Sequence, residues 1–168
     1  MIADDLPDTH LVARVSAFLA HEGALLDSRA WHDWLELYAH EARYWAPVWN
    51  GDDVMTTDPS RQLSLIWADR VELEARIFRI ESEDSYASLP VPHTVHIVSC
   101  TGAQREGGKI KAQANWMVHS FLRTSGAVLR AGRYEYELEE RAGGFSVLFK
   151  KVIIHDDRII GAIDIYNI

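Results

Sequence analysis

The sequence predicts an α+β fold in which N-terminal helices pack on one face of a strongly curved antiparallel sheet. Three observations carry this expectation. Apolar residues recur at helical spacing between Leu11 and Tyr38. From His93 onward, alternation of apolar and polar residues takes over. The alternating stretches are joined by short turns, which only antiparallel neighbours allow. A twisted sheet wrapped over two or three helices forms a cone, and its mouth is either a pocket or an interface.

The first helix is expected over about Asp8 to Leu26, with Leu11, Val15, Phe18, Leu19, Leu25 and Leu26 mostly on one face. Pro7 precedes it and Asp8 or Thr9 can cap it. Asp27-Ser28 breaks the chain, and a second helix follows from about Arg29 to His40. There Trp31, Trp34, Leu35 and Tyr38 stand at i, i+3, i+4 and i+7. Helices joined this tightly form a hairpin. Arg43 to Trp49 is aromatic and extended, and Pro47 suits a sheet edge. Asn50-Gly51 and Asp58-Pro59 mark a loop from Asn50 to Ser60. From Asp69 to Ile80, Val71, Leu73, Ala75 and Ile77 alternate like a strand. The Glu, Ala, Arg and Leu content favours a helix instead, capped by Asp69.

After Pro90 and Pro92, strands are expected over His93 to Arg105, Lys109 to Arg123, Val128 to Arg141, Phe145 to His155 and Arg158 to Ile168. In the second of these, Ile110, Ala112, Ala114, Trp116 and Val118 share a face opposite Lys109, Lys111, Gln113 and Asn115. In the third, Tyr134, Tyr136 and Leu138 oppose Arg133, Glu135, Glu137 and Glu139. The Gly-Gly pairs at 107–108 and 143–144 lie between strands, so they are hairpin turns and not phosphate loops.

Composition sets the bounds on function. A chain of 168 residues, 48% apolar and 25% charged, is one globular domain spanning 1–168. Its net charge, 17 − 25 = −8, repels phosphate backbones, so nucleic acid is not an expected partner. The single Cys100 permits no intrachain disulfide and no pair of cysteine ligands for an iron–sulfur cluster. The start, Met1-Ile2-Ala3-Asp4-Asp5, is acidic, unlike a secretory leader, and no stretch approaches a membrane span. A cytoplasmic protein is expected.

Candidate chemistry is sparse. Eight histidines invite a metal site, but His93 and His96 should face opposite sides of a strand, and His32 and His40 are two helical turns apart. No metal is expected in this chain. His32, Asp33, Tyr38 and Tyr44 could form an acid–base set in the cone, yet His32 and Asp33 mostly fall off the apolar stripe. Cys100, in an apolar strand, reads as a core residue. Tryptophans at 31, 34, 45, 49, 67 and 116 cluster toward one end, which suits either an aromatic core or a partner surface.

In order and spacing the chain resembles the small (β) subunits of Rieske-type aromatic-ring-hydroxylating dioxygenases. The resemblance rests on Glu22-Gly23-Ala24-Leu25-Leu26-Asp27 followed by Trp31 and Trp34-Leu35, then on Tyr44-Trp45-Ala46-Pro47-Val48. It continues through Leu73-Glu74-Ala75-Arg76-Ile77, Pro92-His93-Thr94 and Ala114-Asn115-Trp116-Met117-Val118. Its best segment is Arg130-Ala131-Gly132-Arg133-Tyr134-Glu135-Tyr136-Glu137-Leu138, leading to Lys150-Lys151-Val152. Many relatives carry Ser-Arg-Thr where this chain has Pro92-His93-Thr94.

The resemblance implies a cone-shaped fold like that of nuclear transport factor 2 (NTF2-like, cystatin-like). It implies a β homotrimer joined to a larger α subunit as α3β3. The α chain would hold the Rieske [2Fe–2S] cluster and the mononuclear non-haem iron and add O2 to an aromatic ring. This chain would hold no cofactor and act in assembly. The ending Ile163-Asp164-Ile165-Tyr166-Asn167-Ile168 is similar to branches acting on aminobenzoate-like acids. Interface residues expected on this reading are Trp45, Trp49, Trp67, His93, Trp116, Arg133 and Tyr134, with Arg133 in a buried or interfacial ion pair. Two other readings compete. One is a stand-alone dehydratase or isomerase using His32, Asp33, Tyr38 and Tyr44. The other is a small-molecule binding module that needs a cavity but no titratable pair.

Overall fold

The structure, a computed structural model, describes residues 8–51, 53–82 and 90–168. Pro7 and the acidic start lie outside the described residues. Helix α1 (Thr9–Asp27) is capped by Asp8, whose carboxylate accepts from Leu11 N at 3.0 Å. Its buried face carries Leu11, Val15, Leu19 and Leu26. Helix α2 (Trp31–Glu36) is shorter than the expected Arg29–His40. Tyr38 instead opens strand β1 (Tyr38–Pro47), where Leu37 O accepts from Val147 N at 2.8 Å. Tyr38 is buried at an inward strand position, so helical spacing alone could not separate the two conformations.

Strand β2 (Ser64–Asp69) was not foreseen; it pairs antiparallel with β1. Helix α3 (Arg70–Glu81) follows as expected. Asp69 accepts from Glu72 N, and the Glu72 carboxylate accepts from Asp69 N, a capping box. Then come β3 (His93–Glu106), β4 (Lys109–Leu122), β5 (Gly126–Arg141) and β6 (Gly144–Ile154). The sheet order is β2-β1-β6-β5-β4-β3. Every neighbour pair is antiparallel except β1 and β6, which run parallel, so the sheet is mixed. It is open, with β2 and β3 at its edges.

Two expectations need correction. Pro47 does not mark an edge strand: β1 is interior, and Pro47 sits at its end, where the register to β2 shifts. Arg158–Ile168 is not a strand. A hairpin strand after β6 would have to pair with β6, whose two sides are taken by β5 and β1. The segment folds back instead, burying Ile165, Tyr166 and Ile168, and Asp164 meets Arg76 at 3.2 Å.

The concave face of the sheet and the helices enclose one core. Two glycines permit its close approaches. A Cβ at Gly132 would lie 1.9 Å from Ile153 O, and one at Gly23 would lie 2.9 Å from the His96 Cβ, where α1 crosses β3. No helix among the described residues is long and apolar enough to cross a membrane.

Candidate functional site

The axis of the cone is occupied by an ion pair. Glu22 projects inward from the apolar face of α1, and Lys150 from β6 meets its Oε1 at 2.9 Å. Glu22 Oε1 also accepts from Tyr38 OH at 2.6 Å and from Trp34 Nε1 at 3.3 Å, and Oε2 accepts from Tyr136 OH at 2.7 Å. The Lys150 ammonium stands 4.1 Å from the centre of the Tyr134 ring. Burial pushes the Glu22 carboxyl up, but the Lys150 charge and the hydrogen bonds from Tyr38, Lys150 and Tyr136 outweigh it and hold it below its ordinary value. Burial lowers Lys150 despite the opposing pull of Glu22. Tyr38, Tyr44, Tyr134 and Tyr136 are all raised, first by burial and then by the Glu22 charge or a neighbouring tyrosine. Aromatic and aliphatic side chains pack the space around the pair.

This centre was missed in the sequence. The signals were there: an acidic residue within the buried face of α1, and a lysine within the apolar run Phe145–Ile154. A second polar anchor fixes α1 to the sheet. Asp27 accepts from Thr94 Oγ1 at 2.9 Å and from His96 N at 2.9 Å, and lies 2.5 Å from His96 Nδ1. Here Thr94 of the Pro92-His93-Thr94 segment holds the helix, while His93 is exposed. The two histidine rings therefore face opposite ways.

The acid–base set does not assemble. His32 is 70% exposed and pairs with Glu81, and Asp33 is exposed, whereas Tyr38 and Tyr44 are buried in the core. Because α2 ends at Glu36, the first two residues stay on its solvent side while the tyrosines enter the sheet.

The expected interface residues divide in two. Trp116 and Tyr134 stack at 5.2 Å inside the core and offer no side-chain surface. Trp45 and Trp67 meet edge-on at 6.2 Å on the convex face; Trp67 is exposed and Trp45 is covered. Trp49 is half-buried and donates from Nε1 to Ile154 O at 2.9 Å. It shares an open hollow with Arg133, His155 and Asp157. Arg133 is exposed and makes no ion pair among the described residues.

The convex face also carries a feature that alternation alone did not single out. Pairing across β3, β4 and β5 aligns Ile97-Met117-Ala131, Val95-His119-Leu129 and His93-Phe121-Ala127. Ile97 is 62% and Leu129 57% exposed, and Val95, Met117 and Phe121 are exposed too. A largely apolar grid at the β3 edge, interrupted by the exposed His93 and His119, is the kind of surface that marks a protein interface.

A family model described as "Ring hydroxylating beta subunit" matches residues 21–160. The chain is 39% identical over 156 residues to the small subunit of 2-halobenzoate 1,2-dioxygenase from Burkholderia cepacia, covering 92% of this chain and 94% of that one. It is 37% identical to the β subunit of benzoate 1,2-dioxygenase from Acinetobacter baylyi, with 100% of both chains covered. Among solved structures, the β subunit of benzoate 1,2-dioxygenase from Burkholderia mallei superposes with a TM-score of 0.74 at 30% identity over 100% of both chains. An NTF2-like protein with a cystatin-like fold from Novosphingobium aromaticivorans shares the fold, with a TM-score of 0.59 at 14% identity, covering 87% of this chain and 82% of that one.

Proposed function

Because the chain belongs to the family of ring-hydroxylating β subunits, and is the small subunit of an aromatic-ring-hydroxylating dioxygenase, we propose that it serves as the assembly subunit of an enzyme acting on an aromatic carboxylate. The relatives named for benzoate, 2-halobenzoate and toluate support that substrate class. The observation that carries the assembly role is the exposed apolar grid of Val95, Ile97, Met117, Phe121 and Leu129.

The Rieske [2Fe–2S] cluster and the mononuclear iron belong to the partner α chain in this reading. A single cysteine cannot give a Rieske centre its two thiolates. Three copies would close a ring by head-to-tail contacts, with each β3 edge meeting a different surface of its neighbour, and three α chains would complete α3β3. The protein acts inside the cell as part of that complex.

Co-expression with the α chain tests the proposal. The two chains should co-purify, turnover of an aromatic acid should require α, and the isolated β chain should be inactive. Turnover by β alone, or an α chain fully active and stable without it, would refute the assembly role.

A further inference from the structure

We propose that the concave face of the sheet beside the turn between β4 and β5 holds a binding site for a small carboxylate anion with a flat apolar body, anchored by Arg130 and Ser120. The inference stands apart from the assembly reading, because binding is read on this chain alone.

Both anchors lie on the concave face. Ser120 pairs with Val128 across β4 and β5, and Arg130 is the next inward residue after Val128. The two side chains are therefore diagonal neighbours, within reach of one small ligand. They open onto a hollow of about 110 Å3 walled by Pro92, Leu122, Val128 and Ile160. An enclosed apolar cavity of roughly 150 Å3 accepts benzene; this hollow is smaller but open on one side, so a single ring enters it only in part, with its far edge in the mouth.

The polar groups are short of partners. Arg130 is 5% exposed. Its Nη2 donates to Ile160 O at 2.6 Å and to Ala162 O at 3.5 Å, while no acceptor among the described residues reaches Nη1 or Nε. No carboxylate among the described residues pairs with it. Burial lowers its pKa, against the opposing pull of Asp156 and Tyr166. Ser120 Oγ is buried and has no hydrogen-bond partner among the described residues. A guanidinium keeps its charge and its fork of donors. A carboxylate would take two of those N–H groups and the serine hydroxyl, and would neutralise the buried cation. The apolar walls favour a ligand whose body is a ring over a small hydrated anion.

The test is titration of benzoate into the isotopically labelled full chain, followed by NMR. Saturable shifts should centre on Ser120, Val128, Arg130 and Ile160. Benzamide, lacking the charge, and acetate, lacking the ring, should each bind at least about tenfold more weakly. Ser120→Ala should weaken benzoate severalfold and Arg130→Gln should abolish binding. Arg130 also ties down the 160–162 backbone, so Val128→Trp is the companion variant: it fills the hollow, leaves both anchors in place and should also abolish binding. No saturation by ~10 mM benzoate, shifts centred elsewhere, equal binding of benzamide, or unchanged binding by Val128→Trp would each overturn the site.

Discussion

Lys150 Nζ lies 2.9 Å from Glu22 Oε1, with both side chains only 2% exposed. The pair ties α1 to β6 at the centre of the cone, and three further donors from Trp34, Tyr38 and Tyr136 complete the carboxylate's shell. Removing one partner strands a buried charge, whereas removing both does not. Glu22→Gln or Lys150→Met should therefore each cost about 3–5 kcal/mol in chemical denaturation, and the double variant should regain most of that loss. A double variant as unstable as the sum of the two singles would show that the charges are not coupled.

Acid should unfold the chain through its depressed carboxyls. Burial raises Glu22 and Asp27, but Lys150 and the hydrogen bonds on Glu22, and the His96 and Thr94 contacts on Asp27, bring both below their ordinary values of 4.5 and 3.8. A carboxyl lowered by folding stabilises fully above its unfolded value and loses that contribution as pH falls through the folded one. Urea midpoints should stay level down to about pH 5 and drop below about 4.5, and Asp27→Asn should remove part of the drop. A midpoint unchanged at pH 3 would contradict this.

Gly132 sets the closeness of β5 and β6. Its absent Cβ would fall 1.9 Å from Ile153 O, a backbone atom that cannot swing aside. Gly132→Ala should cost about 3 kcal/mol or yield insoluble protein. Gly102→Ala, where nothing lies within 4 Å, should change the melting temperature little.

The convex grid should matter for assembly and not for folding. Ile97→Glu and Leu129→Glu alter exposed positions, so unfolding free energies should stay within about 0.5 kcal/mol while oligomer recovery falls. Arg133→Ala, also exposed, should behave the same way if its ion pair forms across subunits. Size-exclusion profiles beside thermal melts check both, and an unchanged profile would remove these residues from the interface.

Strands β3, β4 and β5 were legible because each has one face more buried than the other, so alternation writes their register directly, whereas β6 was legible as a continuous apolar run buried on both faces. Asp69 and Glu72 announced α3 through their cap. Strand β2 and the parallel β1–β6 contact were not legible, since they depend on which edge remains free once the hairpins have formed. Tyr38 misled because helix and strand bury it equally. Glu22 and Lys150 lie 128 residues apart and look anomalous one at a time; only their meeting explains them. Trp116 and Tyr134 could be core or surface by type, and it was their inward position opposite Gly132 and Ala114 that decided.

Sedimentation of the purified chain at micromolar concentration, alone and then with its α partner, is the decisive measurement. A trimer alone that shifts to a larger mixed complex is the expected result. A species that remains a monomer in both solutions would contradict the role of this chain as an assembly subunit.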